Sequence, residues 1–135
     1  MKIKELEEHL ALSVHLPNYN QARYLIEKGV VIDSLMPNID TDILNNAIDK
    51  YGTLGQIDKS IEEMSELIKA LLKERYARMT NNHLAEIDNV CEELADAIIM
   101  LNQLVIIFTE RYHAFSKEDL QKVVNFKLKR LEERI

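Results

Sequence analysis

The sequence predicts an all-α protein, a helical bundle of four or more helices, on three observations. The 135 residues include only three glycines and two prolines, which favours long uninterrupted elements over many tight turns. Apolar residues recur at spacings of three and four in several segments, the period of an amphipathic helix. A β-like run at 30–32 is too short to stand alone as a strand. A chain of this length is large enough to bury a real core.

The first part of the chain predicts short helices separated by breaks. Helical spacing and turn-forming residues predict these short helices over 1–12, 21–28 and 42–50. Asp40 or Thr41 can cap the third of them, because both side chains can accept hydrogen bonds from the first turn. Residues 51–55, which include two glycines, predict a turn or kink after it.

Two long helices follow, each with an apolar stripe that we expect to face the core. The first, from about residue 56 to 79, has its stripe at Ile57, Ile61, Met64, Ile68 and Leu71. The second, from about Leu84 to His113, has its stripe at Ile87, Val90, Leu94, Ile98, Leu101, Val105 and Phe108. Their short connection predicts antiparallel packing. A capping-box pattern at 116–119 opens a last helix.

Bulk composition narrows the class of protein. The net charge of -6 argues against nucleic acid as the main ligand, since a phosphate backbone favours clustered Lys and Arg. The longest apolar stretch, 97–108, is interrupted by two polar residues and is too short to span a bilayer. Cys91 is the single cysteine, which suits a reducing compartment. These features predict a cytoplasmic protein that binds neither nucleic acid nor a membrane.

Acidic residues beside the two apolar stripes are the main functional signal. Glu63 and Glu66 are three residues apart on the first long helix, and Glu62 adds a third carboxylate on that flank. Glu93 and Asp96 repeat the spacing on the second. If the helices pack antiparallel, these carboxylates can converge, and a cation among them would offset their repulsion. Ligation by oxygen alone suits Mg²⁺, with Mn²⁺ as a possible substitute.

Other interpretations of these residues are possible. Either acidic pattern alone is typical of a solvated helix surface, and only their combination on adjacent helices favours a metal site. Glu110 and His113 resemble half of a di-iron site, but the second Glu-x-x-His pair of such bundles is missing. Asn102 and Gln103 interrupt an apolar run, so they need hydrogen-bond partners if they are buried. They are candidates for contacting a base or a second subunit.

A family resemblance extends over about 45–135. The runs Glu62-Glu63-Met64-Ser65-Glu66 and Glu93-Leu94-Ala95-Asp96 look like the EExxE…ExxD signature of MazG-like nucleoside triphosphate pyrophosphohydrolases. The stretch 125–130 resembles that family's Asn-x-Lys-x-x-Arg element. Residues 1–44 match nothing in the family and are predicted to be an N-terminal extension.

The resemblance implies an activity and a set of residue roles. The activity is magnesium-dependent hydrolysis of a nucleoside triphosphate between its α and β phosphates, which serves to clean or balance the nucleotide pool. The implied metal ligands are Glu63, Glu66, Glu93 and Asp96. Glu62 and Glu63 are the candidate catalytic residues, and Glu62 either ligates a metal or accepts a proton from water. The candidate phosphate-binding residues are Asn125, Lys127 and Arg130, for which a solvated basic face is the alternative. Apart from the resemblance, Lys69 is a further candidate because it lies one turn after Glu66, and an ordinary helix-surface lysine is its alternative.

The extent of apolar surface also predicts self-association. The second long helix is apolar nearly all round in its C-terminal half, more than one small bundle can cover, so a homodimer or homotetramer is expected. A non-enzymatic alternative is a helical interaction module that keeps the carboxylate cluster without turnover.

Overall fold

The computed structural model describes residues 35–80 and 84–135, and the chain divides into two units after Ile39. The unit Asp40–Ile135 contains four helices, α1 (Thr41–Tyr51), α2 (Thr53–Met79), α3 (Leu84–Ile106) and α4 (Lys117–Arg134). The described residues contain no strand, which confirms the all-α prediction. The segments predicted over 1–12, 21–28 and 30–32 lie outside the described residues.

Helix α1 begins and ends where its sequence predicts. The Asp40 side chain accepts a hydrogen bond from the backbone N–H of Asp42 at 2.9 Å, which caps the first turn. The predicted turn over 51–55 is wrong in extent, because only Gly52 separates α1 from α2. Gly52 has φ 82°, a conformation that glycine adopts without steric cost, so one residue makes the whole turn.

Helices α2 and α3 pack with a different face from the one predicted. The buried residues on α2 are Gln56, Ser60, Ala70 and Ala77, and those near the end of α3 include Ala97, Met100, Gln103 and Ile106. The stripe residues Ile61 and Ile68 are each 60% exposed, and Leu94 and Leu101 are each 46% exposed. The expectation that these stripes face this chain's core is therefore wrong for these four residues, whereas Ile57, Met64 and Ile98 of the same stripes are half-buried. Small side chains on the inner faces let the two helix backbones approach closely.

Helix α3 ends in a π-helical turn, Ile107–Arg111, close to its predicted end at His113. The backbone N–H of Tyr112 bonds to the carbonyl of Ile107 at 2.8 Å, the five-residue spacing of a π turn. Ile107 is fully buried, and the Arg111 guanidinium lies 2.6 Å from the Asp49 carboxylate on α1. This end of α3 is thus attached to α1.

Helix α4 is held by local contacts. The predicted capping box is confirmed: the Ser116 hydroxyl accepts from the Asp119 N–H at 3.0 Å, and the Asp119 carboxylate accepts from the Ser116 N–H at 3.2 Å. No residue of α4 is buried. The described residues form four α-helices, which agrees with the predicted bundle of four or more, and Leu120 is the one half-buried residue of α4. Among the described helices none has the length and apolar character of a membrane span.

Candidate metal centre

Three carboxylates converge where α2 and α3 face each other. The helices are antiparallel, because Gln56 contacts Gln103 while Glu63, further along α2, lies near Glu93, further back along α3. One carboxylate oxygen from each of Glu63, Glu93 and Asp96 lies within 4.8 Å of the others. Glu63 and Glu93 are half-buried and Asp96 is exposed. Carboxylate oxygens are a ligand type that hard divalent cations take.

The electrostatics of Glu93 show that the acids interact. Partial burial raises the pKa of the Glu93 carboxyl above its usual value, and repulsion from Asp96, Glu66 and Glu63 raises the pKa further. A bound cation would reverse this effect, because it favours the ionised carboxylate. The donor set therefore fits a hard divalent cation.

Lys59 supplies a positive charge beside the cluster. Its Nζ lies 2.7 Å from Glu63 Oε1 and 3.3 Å from Glu62 Oε1. Hydrogen bonding to Glu63, and then to Glu62, raises the pKa of the Lys59 amine. Sequence reasoning missed this residue, although its spacing of three and four residues from the two acids is the usual signal for a helical ion pair.

Two acids of the predicted set lie outside the converging three. Glu66 is exposed, and it lies near enough to Glu93 to raise the pKa of that carboxyl. Glu62 has a 63% exposed side chain that pairs with Lys59. The role of Glu66 as a metal ligand stays a prediction, and so does the role of Glu62 as a metal ligand or a base.

The predicted phosphate-binding residues do not meet the acids within one chain. Asn125, Lys127 and Arg130 lie on α4 and are exposed, and no hydrogen bond or ion pair in the described part of the chain joins them to α2 or α3. Asn125 instead accepts from the Gln121 amide on its own helix at 2.9 Å. Lys69 is also exposed on α2.

Each of the polar residues inside the helix pair makes at least one side-chain hydrogen bond. Gln56 Nε2 donates to Gln103 Oε1 at 2.6 Å, and Asn102 Nδ2 donates to the carbonyl of Ile98 at 2.8 Å. The expectation that Asn102 and Gln103 need hydrogen-bond partners is thereby confirmed, while their contact with a base or a second subunit stays a prediction. The partner Gln56 was not anticipated, although it lies on the same helical face as Glu63, seven residues earlier.

Two further candidates have no metal-site geometry. The Glu110 carboxylate accepts from Lys117 Nζ at 2.8 Å, while His113 lies beyond the π turn with φ 50°. Cys91 is a half-buried free thiol on α3.

Comparison with known proteins identifies no relative of this chain, since no family model, curated protein or solved structure matches it. The resemblance to MazG-like enzymes therefore stays a prediction from the motifs quoted above.

Proposed function

We propose that this chain is a magnesium-dependent nucleoside triphosphate pyrophosphohydrolase that cleaves its substrate between the α and β phosphates. The convergence of Glu63, Glu93 and Asp96 within 4.8 Å, from two antiparallel helices, carries the proposal. These are the positions at which the sequence resembles the EExxE…ExxD signature. A cytoplasmic role in clearing or balancing nucleotides fits this activity.

The reaction assigns a task to each acid. Magnesium ions, when bound, would neutralise the triphosphate and increase the acidity of a water molecule. Glu63, Glu93 and Asp96, with Glu66, hold the cations, and Glu62 ligates one of them or accepts the proton of the water. The water oxygen bonds to the α-phosphorus as the bond to the bridging oxygen breaks. That oxygen leaves with the bonding electrons as part of pyrophosphate, and a nucleoside monophosphate remains.

The proposal includes a homodimer or homotetramer. Ile61 and Ile68 on α2 are each 60% exposed, and on α4 Phe126 is 60% and Leu128 56% exposed. Large apolar side chains exposed in this number favour a protein interface. A second copy would cover these faces and can bring the basic residues of α4 to an acidic cluster that they do not reach in their own chain. Sedimentation equilibrium tests this part, and a monomer at micromolar concentration would contradict it.

The activity is tested directly with purified protein, Mg²⁺ and each ribo- and deoxyribonucleoside triphosphate in turn. Pyrophosphate, orthophosphate and monophosphate are measured separately. We expect equal amounts of pyrophosphate and monophosphate from at least one nucleotide. Release of orthophosphate, or no product from any nucleotide, would contradict the proposal.

Matched variants locate the site. Asp96→Asn and Glu66→Gln should abolish turnover while the circular dichroism signal of the helices stays unchanged, because each removes a metal ligand without altering side-chain size. Asp88→Asn is the control, since Asp88 is an exposed acid of α3 outside the cluster. Full activity of Asp96→Asn would place the site elsewhere.

The alternative is a non-catalytic interaction module that retains the carboxylate cluster. The exposed apolar faces of α2 and α4 favour it. The two functions differ in one pair of measurements. A non-catalytic module would bind Mg²⁺ through Glu63, Glu93 and Asp96, so Mg²⁺ would raise its thermal stability. It would release no product from any triphosphate.

A further inference from the structure

A cavity of about 520 Å³ lies at the start of α2, close to the acidic cluster. Its described lining residues are Tyr51, Gly55, Gln56, Lys59 and Met100. Small-molecule sites in proteins typically measure about 300–1,000 Å³, so this volume suits a ligand of nucleoside size.

The cavity wall contains a buried amide with unused hydrogen-bonding capacity. Gln56 is 7% exposed and its Nε2 donates to Gln103 Oε1, so the Gln56 side-chain carbonyl has no partner among the described residues. The Ser60 hydroxyl bonds to the backbone carbonyl of Gln56 at 2.7 Å and does not satisfy the side chain. If both amides are turned over, the Gln56 carbonyl accepts from Gln103 and the unused group of Gln56 is its side-chain N–H, so Gln56 still has an unpartnered polar group in the cavity wall. A buried carbonyl without a donor is costly unless a ligand or water supplies one.

Gly55 leaves the cavity open beside an aromatic ring. A Cβ added at Gly55 would lie 4.0 Å from the Cβ of Tyr51, which is ordinary van der Waals contact. A methyl group therefore fits there, whereas a long side chain would compete for the space beside Tyr51. The Tyr51 ring lies at this edge in a residue that is 61% exposed, and Lys50 Nζ lies 5.2 Å from the ring centroid, so at most one face of the ring is open to a ligand.

Lys59 connects the cavity to the acidic cluster. It lines the cavity and its Nζ lies 2.7 Å from Glu63 Oε1. Gln56, Lys59 and Glu63 lie on one side of α2, and the seven residues from Gln56 to Glu63 span about 10 Å of helix. A molecule that fills both the cavity and the acidic cluster needs a neutral, hydrogen-bonding ring for the cavity. At the cluster it needs an anionic group that the proposed cations can bind. A nucleotide has this arrangement.

We propose that the cavity binds the nucleobase of the substrate, with the Gln56 carbonyl accepting a hydrogen bond from a base N–H and Tyr51 flanking the ring. The phosphate end of this arrangement rests on the proposed function. Base binding does not, because a nucleoside monophosphate can be measured without metal and without turnover.

The first test is binding of each nucleoside monophosphate to the full chain in EDTA, followed by NMR of the Gln56 and Gln103 side-chain amides. We expect saturable shifts of these resonances for at least one base. Gly55→Leu should abolish the shifts by filling the cavity, whereas Gly55→Ala should retain them. Absence of shifts for every monophosphate, or unchanged binding by a folded Gly55→Leu variant, would overturn the proposal.

A second pair of variants separates contact with the base from support of the fold. Gln56→Met and Gln103→Met both break the buried amide pair, but only Gln56 lines the cavity. We expect Gln56→Met to weaken binding by roughly threefold to tenfold more than Gln103→Met does, the range for one hydrogen bond. Equal losses in the two variants would overturn the role of Gln56.

A methylated ligand provides a control that does not depend on the stability of any variant. Methylation of the base N–H should weaken binding to the wild-type chain and have little further effect on Gln56→Met. Equal weakening of both proteins would overturn the contact.

The two proposals can fail separately. Pyrophosphate release with unchanged KM in Gly55→Leu would overturn base binding in the cavity and leave the hydrolase proposal intact. Monophosphate binding that depends on Gln56, without product from any triphosphate, would support base binding and contradict the hydrolase.

Discussion

The α2–α3 pair is stabilised by packing between helices, whereas the terminal helix α4 is stabilised mainly by local hydrogen bonds. In the pair, Ala70 and Ala97 are each 1% exposed, so its stability comes from close contact between helices distant in sequence. Helix α4 has no buried residue. Its polar contacts are the Ser116–Asp119 capping box, bonds between neighbouring residues of the helix, and the Lys117–Glu110 ion pair to the π turn. Periodic apolar residues are present in both regions, so periodicity alone does not predict which helix packs within its own chain.

This difference extends to the charged residues. Tertiary packing collects Glu63, Glu93 and Asp96 into one cluster, whereas Lys127 and Arg130 remain on a helix that does not reach the cluster. A triphosphate site needs both signs of charge. Under the proposed function, the packed pair would supply the cation site and α4 would act on another copy.

The largest effect is expected from overpacking the inner face of the pair. Ala97→Leu should lower the free energy of unfolding by about 1–3 kcal/mol, because three extra carbons have no space between α2 and α3. Ala95→Leu is the matched control, since Ala95 is exposed on the same helix and leucine is a good helix former. Urea unfolding followed by circular dichroism measures both. Equal stability of the two variants would contradict the close packing at Ala97.

A smaller and more local effect is expected at the start of α4. Ser116→Ala should cost about 1 kcal/mol of helix stability, because the Asp119 N–H loses its cap. Amide hydrogen exchange should speed up in the first turns of α4 and stay unchanged in α2. Ser65→Ala is the control, since Ser65 is an exposed mid-helix serine that bonds only to the Ile61 carbonyl. Faster exchange throughout the chain would show that α4 is coupled to the pair.

The same cap has a predictable pH dependence. The Ser116 backbone N–H holds the pKa of Asp119 below its usual value. A lowered pKa means that Asp119 stabilises the folded helix at pH values above the ordinary carboxyl pKa. That contribution is lost as the pH falls through the lowered pKa. Exchange in α4 should therefore accelerate in acid, and Asp119→Asn should remove this acid dependence.

The smallest effect is expected at the acidic cluster in metal-free buffer, and it has the opposite sign. The pKa of Glu93 is raised, so its charge destabilises the fold above that pKa, and the destabilisation disappears as the pH falls below the unfolded value. Glu93→Gln should therefore raise Tm slightly at neutral pH in EDTA and lose the gain in Tm that Mg²⁺ confers on the wild type. Glu86→Gln on the same helix is the control. A lower Tm for Glu93→Gln in EDTA would show that repulsion does not dominate there.

Much of the local structure follows from the sequence. Asp40 and Ser116 cap the helices they were predicted to cap, and a break near Met79 separates the two long helices. Hydrogen bonds within a few residues make these features, so neighbouring residues suffice to predict them. The antiparallel arrangement follows from the short connection, and it brings three of the five predicted acids together.

What only the tertiary structure decided is which faces meet. The apolar stripe through Ile61 and Ile68 predicted the inner face of α2, but the helix turns the small and polar residues Ser60 and Ala70 toward α3. A helical period identifies faces of a helix without saying whether a face packs against its own chain or against another. The Gln56–Gln103 bond and the cavity beside it depend on which faces of α2 and α3 pack together. Two residues 47 positions apart meet only when the helices adopt this register. The sequence by itself determined the helices, their caps and the paired acids, since each depends on contacts between near neighbours.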